Sequence, residues 1–157
     1  MAGLIDSLIP ILQQDALSLS ELERSLQDER SALETRDHDG LQQALSRKAE
    51  SAQQLQQNAR LKTELFARHN LKLSPEHAKQ ALAKIGRADV VELWESVAAQ
   101  LDHCKMQNEV NARILSRSQH SLQRVMAIVR GQDNQQRLYG QNGQGSSMGG
   151  RHLLANA

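Results

Sequence analysis

The chain has 157 residues, of which 39% are hydrophobic and only 2% aromatic, and its formal net charge is +1. This length favours one domain, and a core with almost no aromatic rings is typical of long helices packed along a thin seam. A nearly neutral chain without a basic patch or stacking rings lacks the electrostatic footprint of a nucleic-acid-binding protein.

The first predicted helix covers residues 5–33, where apolar side chains recur at alternating steps of three and four. This heptad pattern is the signature of a helix packed along another helix. The N-terminal apolar run has no cationic leader and is too short to span a bilayer, so neither a secretory signal nor membrane insertion is expected. Two acidic residues interrupt the stripe, which consists of Ile5, Leu8, Leu12, Asp15, Leu19, Leu22, Leu26, Glu29 and Leu33.

A turn is predicted near Arg36–His38, because Asp37 is a good N-cap and Gly40 weakens the helix locally. A continuous helix with a slip of register is the alternative. The second helix then carries a weaker stripe, in which two lysines lay their methylenes on the seam and keep their ammonium groups in water. Its positions are Leu41, Leu45, Lys48, Ala52, Leu55, Ala59, Lys62 and Phe66.

A short third helix is predicted from about Pro75 to Ile85. Ser74 as N-cap, proline at the first helical position and Glu76 next form a strong start signal. Gly86 then closes the helix.

The last helix is predicted to start near Val90, where Asp89 and Glu92 resemble a capping box, and to end at Gly131. A span of this length is about 60 Å long, against roughly 45–50 Å for each earlier long helix, so its end is expected to extend about 10–15 Å past them. Its stripe is the longest, with Trp94, Val97, Leu101, Cys104, Asn108, Asn111, Leu115, Ser118, Leu122, Val125 and Val129.

Residues 132–157 change in composition to Gln, Gly, Asn and Ser, which cannot bury enough apolar surface to fold alone. We therefore expect an all-α protein with two parts. Residues 1–131 form an elongated antiparallel helical bundle or coiled coil of three long helices and one short connecting helix. Residues 132–157 form a mobile C-terminal tail, with Leu138 and Tyr139 as apolar landmarks.

Two amides, Asn108 and Asn111, fall where the last stripe predicts leucine. One interpretation is a polar layer in the seam, satisfied inside the protein, which fixes register and partner choice. The other is that this part of the seam is incompletely covered and opens to a ligand helix or to solvent.

No catalytic or metal site is predicted. No two of the six histidines lie at i, i+4 on one predicted helix face, and no Glu-x-x-His pair suggests a metal site in a bundle. Phosphate-loop and nucleophile motifs do not occur. Cys104, the single cysteine, is expected to be small core filler in a reducing compartment. The sequence therefore indicates neither an enzyme nor a cofactor.

The order of these residues resembles a known family. Leu93-Trp94 followed by Leu101, Cys104, Asn108, Asn111 and Ile114-Leu115 is similar to the last-helix signature of the FlgN family of flagellar export chaperones. Upstream, the leucine stripe with Asp37, Leu41 and Lys48 resembles that family's opening helical pair, and Gly131 with Leu138-Tyr139-Gly140 resembles its tail. Ala112 is a departure, because members often carry glycine after the second asparagine.

The resemblance implies a cytoplasmic chaperone for type III export, without ATP hydrolysis or a cofactor. It implies that the substrates are the hook-filament junction proteins, which are hook-associated proteins 1 and 3. The chaperone keeps their C-terminal helical segments from assembling prematurely and delivers them to the cytoplasmic domain of the export gate.

The residues themselves favour a scaffold that holds another protein by a helix-in-groove contact. The candidate partner-binding residues lie beyond the reach of the first two helices or in the tail. A structural coiled-coil subunit of a secretion apparatus is the alternative, and the seam also allows weak self-association. The candidates are Leu122, Val125, Met126, Val129, Leu138 and Tyr139.

Overall fold

The structure is a computed structural model that describes the backbone of residues 2–142 and the side chains of residues 3–74 and 76–131. Four helices and no strand occur in that range: α1 (Ala2–Thr35), α2 (His38–Arg68), α3 (Pro75–Ile85) and α4 (Ala88–Asn142). The prediction of an all-α fold with three long helices and one short helix is confirmed. The described residues fall into two compact units that divide after Arg113.

The turn between α1 and α2 is where the sequence predicted it. Arg36 has a φ of 56°, a left-handed conformation that ends α1. Asp37 then caps α2, because its Oδ1 accepts a hydrogen bond from the backbone N–H of Gly40 at 3.0 Å. The alternative of one continuous helix is therefore wrong.

The short helix α3 has the predicted bounds, and both of its caps are in place. The Ser74 hydroxyl accepts a hydrogen bond from the backbone N–H of His77 at 3.3 Å. Gly86 ends α3 with a φ of 77°, which is a conformation that suits glycine because it has no Cβ.

The start of α4 differs from the predicted capping box. The backbone carbonyl of Arg87 accepts hydrogen bonds from Val90 and Val91, both at 3.2 Å, so α4 begins before Asp89. Asp89 lies in the first turn, where a carboxylate suits the helix dipole. The guanidinium of Arg87 donates to both Asp89 oxygens at 2.9 and 2.8 Å and holds the pKa of that carboxyl below its usual value.

The prediction that α4 ends at Gly131 was wrong, because the helix continues to Asn142. Glycine inside a helix costs only about 1 kcal/mol relative to alanine, and it ends a helix reliably only where it takes a left-handed conformation. Gly131, unlike Gly86, does not take one. Residues 143–157, part of the expected mobile tail, lie outside the described residues.

Helices α1 and α2 form an antiparallel pair joined by buried charges. Asp15, which is 1% exposed, accepts hydrogen bonds from the Asn58 amide at 2.9 Å and the Lys62 ammonium at 2.5 Å. Glu29, which is 6% exposed, accepts from the Lys48 ammonium at 3.0 and 3.3 Å. The two acidic residues that interrupt the leucine stripe are therefore the partners of the two lysines, whose ammonium groups were expected to stay in water.

The predicted seam of α2 is correct at one of its two repeating positions and mostly wrong at the other. Leu41, Lys48, Leu55 and Lys62 are half-buried as predicted. The other position is correct only at its last member, Phe66, which is fully buried. At the other members of this position, the structure buries the residue that precedes the predicted one in the sequence. These buried residues are small or polar, because a polar side chain can reach a partner on α1 and a small one lets the two helices approach. The exposed residues are Leu45, Ala52 and Ala59, and the buried ones are Ala44, Ser51 and Asn58.

Helix α4 runs parallel to α1 within the first unit. The Cys104 thiol lies 3.7 Å from the backbone oxygen of Leu19, and one heptad further along both helices the Asn111 amide lies 2.8 Å from the backbone oxygen of Leu26. A larger core cluster joins the start of α1 to the end of α2, to α3 and to the start of α4. Its fully buried members are Leu4, Ile5, Leu8, Leu12, Phe66, Ala78, Leu82 and Val90.

We expect Lys48→Met to lower the free energy of unfolding by about 2 kcal/mol, because it leaves the Glu29 carboxylate buried without a partner. Urea unfolding measures the change. Arg47→Met is the matched control: it breaks the neighbouring pair with Asp28, which is 52% exposed on both sides, and should cost less than about 1 kcal/mol. The double variant Glu29→Leu/Lys48→Met should recover most of the loss. Equal effects of the two single variants would contradict this interpretation.

Candidate partner-binding site

Asn111 lies in the contact between α1 and α4, and both polar atoms of its side chain have a hydrogen-bond partner. The side chain is 0% exposed. Its Nδ2 donates to the backbone oxygen of Leu26 at 2.8 Å, and its Oδ1 accepts from the Arg30 Nε at 3.1 Å. Arg30 also donates through Nη2 to the Gln107 side-chain oxygen. This polar layer joins side chains from two helices with the main chain of α1.

Asn108 does not lie in the buried seam. Its side chain is exposed, whereas Val97, Cys104 and Asn111, spaced one heptad apart, are buried. The contact between α4 and α1 is narrow, so it fully buries only one residue of α4 in each heptad. Asn108 lies beside this row of buried residues and faces outward. The second polar position of the seam is the half-buried Gln107. Sequence reasoning missed Gln107 and Arg30, although Gln107 precedes Asn111 by one helical turn.

Cys104 is buried in the same seam. It is 2% exposed and packs in a cluster with Leu19, Leu26 and Val97. Burial raises the pKa of the Cys104 thiol, and the nearby Glu23 carboxylate raises it further. A thiol with a raised pKa has little thiolate at neutral pH, so this side chain is suited to packing and not to nucleophilic chemistry.

The candidate partner-binding residues of α4 are all exposed. Leu122 is 63% exposed, Val125 55%, and Met126 and Val129 48% each. Their spacing of three, four and seven residues places the four side chains on one face of a helix. This surface, which we call the apolar face of α4, lies wholly within the second unit.

Residues 114–131 carry only positive side-chain charge. Arg117, Arg124 and Arg130 are present, and no aspartate or glutamate occurs among them. Arg117 and Arg124 are one heptad apart and lie on the side of the helix opposite to Leu122 and Val129, since each residue turns a helix by about 100°. The segment therefore has an apolar face on one side and arginines on the other, where the exposed Ile128 also lies.

The two tail candidates are placed only in part. Leu138 and Tyr139 belong to the helical backbone of α4, but their side chains lie outside the described residues. Within residues 2–142, no helix is long and apolar enough to cross a membrane. Among the side chains that the structure describes, no group of three or more histidine, cysteine or acidic residues could hold a metal ion.

This fold belongs to the class of all-α proteins with long packed helices and an uncovered apolar helix face, which is typical of proteins that bind other proteins. The sequence model of the FlgN protein family matches residues 1–147, so the chain belongs to the FlgN family of flagellar export chaperones. No curated protein and no solved structure was found to match the chain.

We expect Asn111→Ala to lower the free energy of unfolding by about 1–2 kcal/mol, because it removes two hydrogen bonds in a buried site and leaves Arg30 without one acceptor. Asn108→Ala removes the same side chain from an exposed position three residues away and should change stability by less than about 0.5 kcal/mol. Thermal or urea unfolding measures both. A difference of less than about 0.5 kcal/mol between the variants would refute the conclusion that Asn111, and not Asn108, is the buried asparagine of the polar layer.

Proposed function

We propose that this protein is a cytoplasmic type III export chaperone for the hook-filament junction proteins, hook-associated proteins 1 and 3. It binds their C-terminal helical regions, prevents premature assembly and delivers them to the cytoplasmic domain of the flagellar export gate. Membership of the FlgN family supports the general role, because this family takes part in flagellum assembly and its members bind hook-associated proteins.

The observation that carries the proposal is the apolar face of α4. Four aliphatic side chains about half or more exposed on one helix face leave an apolar surface of the kind that marks interaction sites. An amphipathic helix of the partner would cover this face with its own apolar stripe, as in other helix-in-groove contacts. Met126 can adapt its shape to either of two related partners, because its side chain is unbranched and flexible. Leu138 and Tyr139 would extend the contact toward the tail.

The double variant Leu122→Glu/Val129→Glu should lose at least tenfold in affinity for the C-terminal segments of hook-associated proteins 1 and 3. Two carboxylates on the apolar face would have to be desolvated by a bound helix. Isothermal titration with each purified segment measures the change, and circular dichroism should show unchanged helicity.

The matched control is His120→Glu/Ala127→Glu, which adds the same two carboxylates to exposed positions on the opposite face of the same segment. It should retain affinity within about threefold. An equal loss of affinity in both double variants would show that added negative charge weakens binding on either side of the helix, and that the apolar face is not the binding surface. A stable homo-oligomer that binds neither segment would instead favour a structural coiled-coil subunit.

Removal of residues 132–157 should weaken capture of the same segments and leave the fold of the first unit intact, because the core clusters lie in residues 4–104. Circular dichroism and titration of the truncated chain measure helicity and affinity separately. Helicity should fall only by the share that the deleted part of α4 contributes. Cooperative loss of the whole fold would show that these residues belong to the core.

A further inference from the structure

Residues 114–131 of α4 carry more exposed apolar surface than the apolar face of α4 includes. Ile128 lies outside that face and is 61% exposed. Each residue turns a helix by about 100°, so the leucine, isoleucine, valine and methionine side chains of the segment occupy an arc of about 160° that only serines interrupt. We call this surface the apolar arc; in order around the helix, its members are Ile128, Ile114, Val125, Val129, Leu122, Leu115 and Met126.

Arginines lie beside both edges of the apolar arc. Arg117 and Arg124 are about 20–40° from Ile128 around the helix, and Arg130 lies about 40° beyond Met126 at the other edge. The methylenes of an arginine can lie along apolar surface while its guanidinium stays in a polar environment. The three guanidiniums can therefore reach the level at which the apolar arc ends.

The charge of Arg117 and Arg124 is not balanced by acidic residues of the segment. The nearest acidic residues along the chain are Glu109 and Asp133, which are at least eight positions away. Neither arginine forms an ion pair with the side chains that the structure describes. Both are therefore available to an anionic ligand that contacts the edge of the apolar arc.

The width of the apolar arc fits a bilayer surface better than a partner helix. A packed helix covers a stripe about 100° wide, and the four side chains of the apolar face of α4 already fill such a stripe. That contact would leave Ile128 in water beside two arginines. The interface of a bilayer takes up a wider apolar surface and places basic side chains of the polar side near anionic head groups.

We propose that residues 114–131 bind the surface of an anionic phospholipid bilayer, with the helix lying along the interface and not across the membrane. The apolar arc enters the boundary between head groups and acyl chains. Arg117, Arg124 and Arg130 contact lipid phosphates. This activity goes beyond the proposed chaperone function and does not depend on it, because Ile128 and the arginines have no part in the proposed contact with hook-associated proteins.

A second copy of this chain fits the segment less well. Two such segments packed face to face would bring arginines together along the edges of the contact, and like charges across an interface oppose binding. A packed copy would also cover only a stripe and leave Ile128 exposed.

Sedimentation of the full-length protein with lipid vesicles tests the proposal. Vesicles of phosphatidylglycerol and phosphatidylcholine in equal parts should bind at least tenfold more tightly than phosphatidylcholine alone, because each arginine near an anionic surface strengthens binding about fivefold. Equal binding to the two kinds of vesicle, or binding to neither, overturns the proposal. Dextran sulfate, a soluble polyanion, that binds as tightly as the acidic vesicles would show attraction to any anion and also overturns it.

Removal of two arginines tests the charged edge. Arg117→Gln/Arg124→Gln should weaken binding to the acidic vesicles at least tenfold, at about fivefold for each charge. Arg24→Gln/Arg60→Gln is the matched control, because it removes the same charge from exposed positions of α1 and α2, and it should retain affinity within threefold. An equal loss in both variants would show attraction by net charge alone, which contradicts a site on α4.

Ile128 and its neighbour Ala127 test the apolar arc. Ile128→Glu places a carboxylate at the edge of the arc, where anionic lipid would desolvate and repel it, and should weaken vesicle binding at least tenfold. Ala127→Glu adds the same charge on the side of the helix away from the arc and should change the affinity less than threefold. Both positions are exposed, so both variants should fold, which circular dichroism verifies. If both variants bind vesicles equally well, the apolar arc is not the lipid contact.

Lipid binding and the chaperone function can fail separately. A protein that binds acidic vesicles and neither hook-associated segment contradicts the chaperone function and supports the lipid proposal. A protein that binds both segments and sediments with neither kind of vesicle overturns the lipid proposal, while the chaperone function stands.

Discussion

The alignment of α1 with α2 depends on two buried ion pairs, Lys62 with Asp15 and Lys48 with Glu29. The two carboxylates are two heptads apart on α1, and the two lysines are two heptads apart on α2 in the opposite direction. Leucine and alanine stripes alone would tolerate a slip of one heptad. Such a slip would separate both carboxylates from their lysines, at a cost of about 2 kcal/mol or more for each, since breaking a fully buried pair costs about 3–5 kcal/mol. The charges therefore specify one antiparallel register.

Helix α4 packs on α1 by a different kind of contact. Cys104 and Asn111 approach main-chain oxygens of α1, and Arg30 holds the Asn111 amide in one orientation. Main-chain oxygens recur at every residue, so the contacts between side chains select the register. They join Arg30 to Asn111 and Gln107, Gln100 to Ser20, and His103 to Glu23. Helix α1 therefore contacts both α2 and α4. Between α2 and α4 lies an apolar groove of about 280 Å³, because the helix contacts are narrow and built from small and polar side chains.

Helix ends and periods could be predicted from the sequence, because local chemistry decides them. Asp37, Ser74 and Gly86 act through groups within a few residues of themselves, and the structure places all three as predicted. Gly131 was misjudged because glycine stops a helix only through its conformation. The prediction of which α2 residues face α1 was partly wrong for a different reason. Apolar character favoured Ala59 over Asn58, and only the position of Asp15 on another helix makes Asn58 the buried residue. The equal spacing of the acidic pair and the lysine pair was a signal in the sequence that could have given the register.

The size of the apolar face of α4 argues for more than one contact with a partner. Complete burial of an aliphatic side chain stabilises a complex by about 1.5–3 kcal/mol, and these four side chains already hide about half of their surface. Covering them would then contribute roughly 3–6 kcal/mol, before the cost of ordering the partner. Micromolar affinity requires about 8 kcal/mol, so this face alone falls short. A chaperone that must hold a helical segment and later release it gains from dividing the contact between weak surfaces. Each surface can dissociate separately, while the others keep the segment close and its effective concentration high.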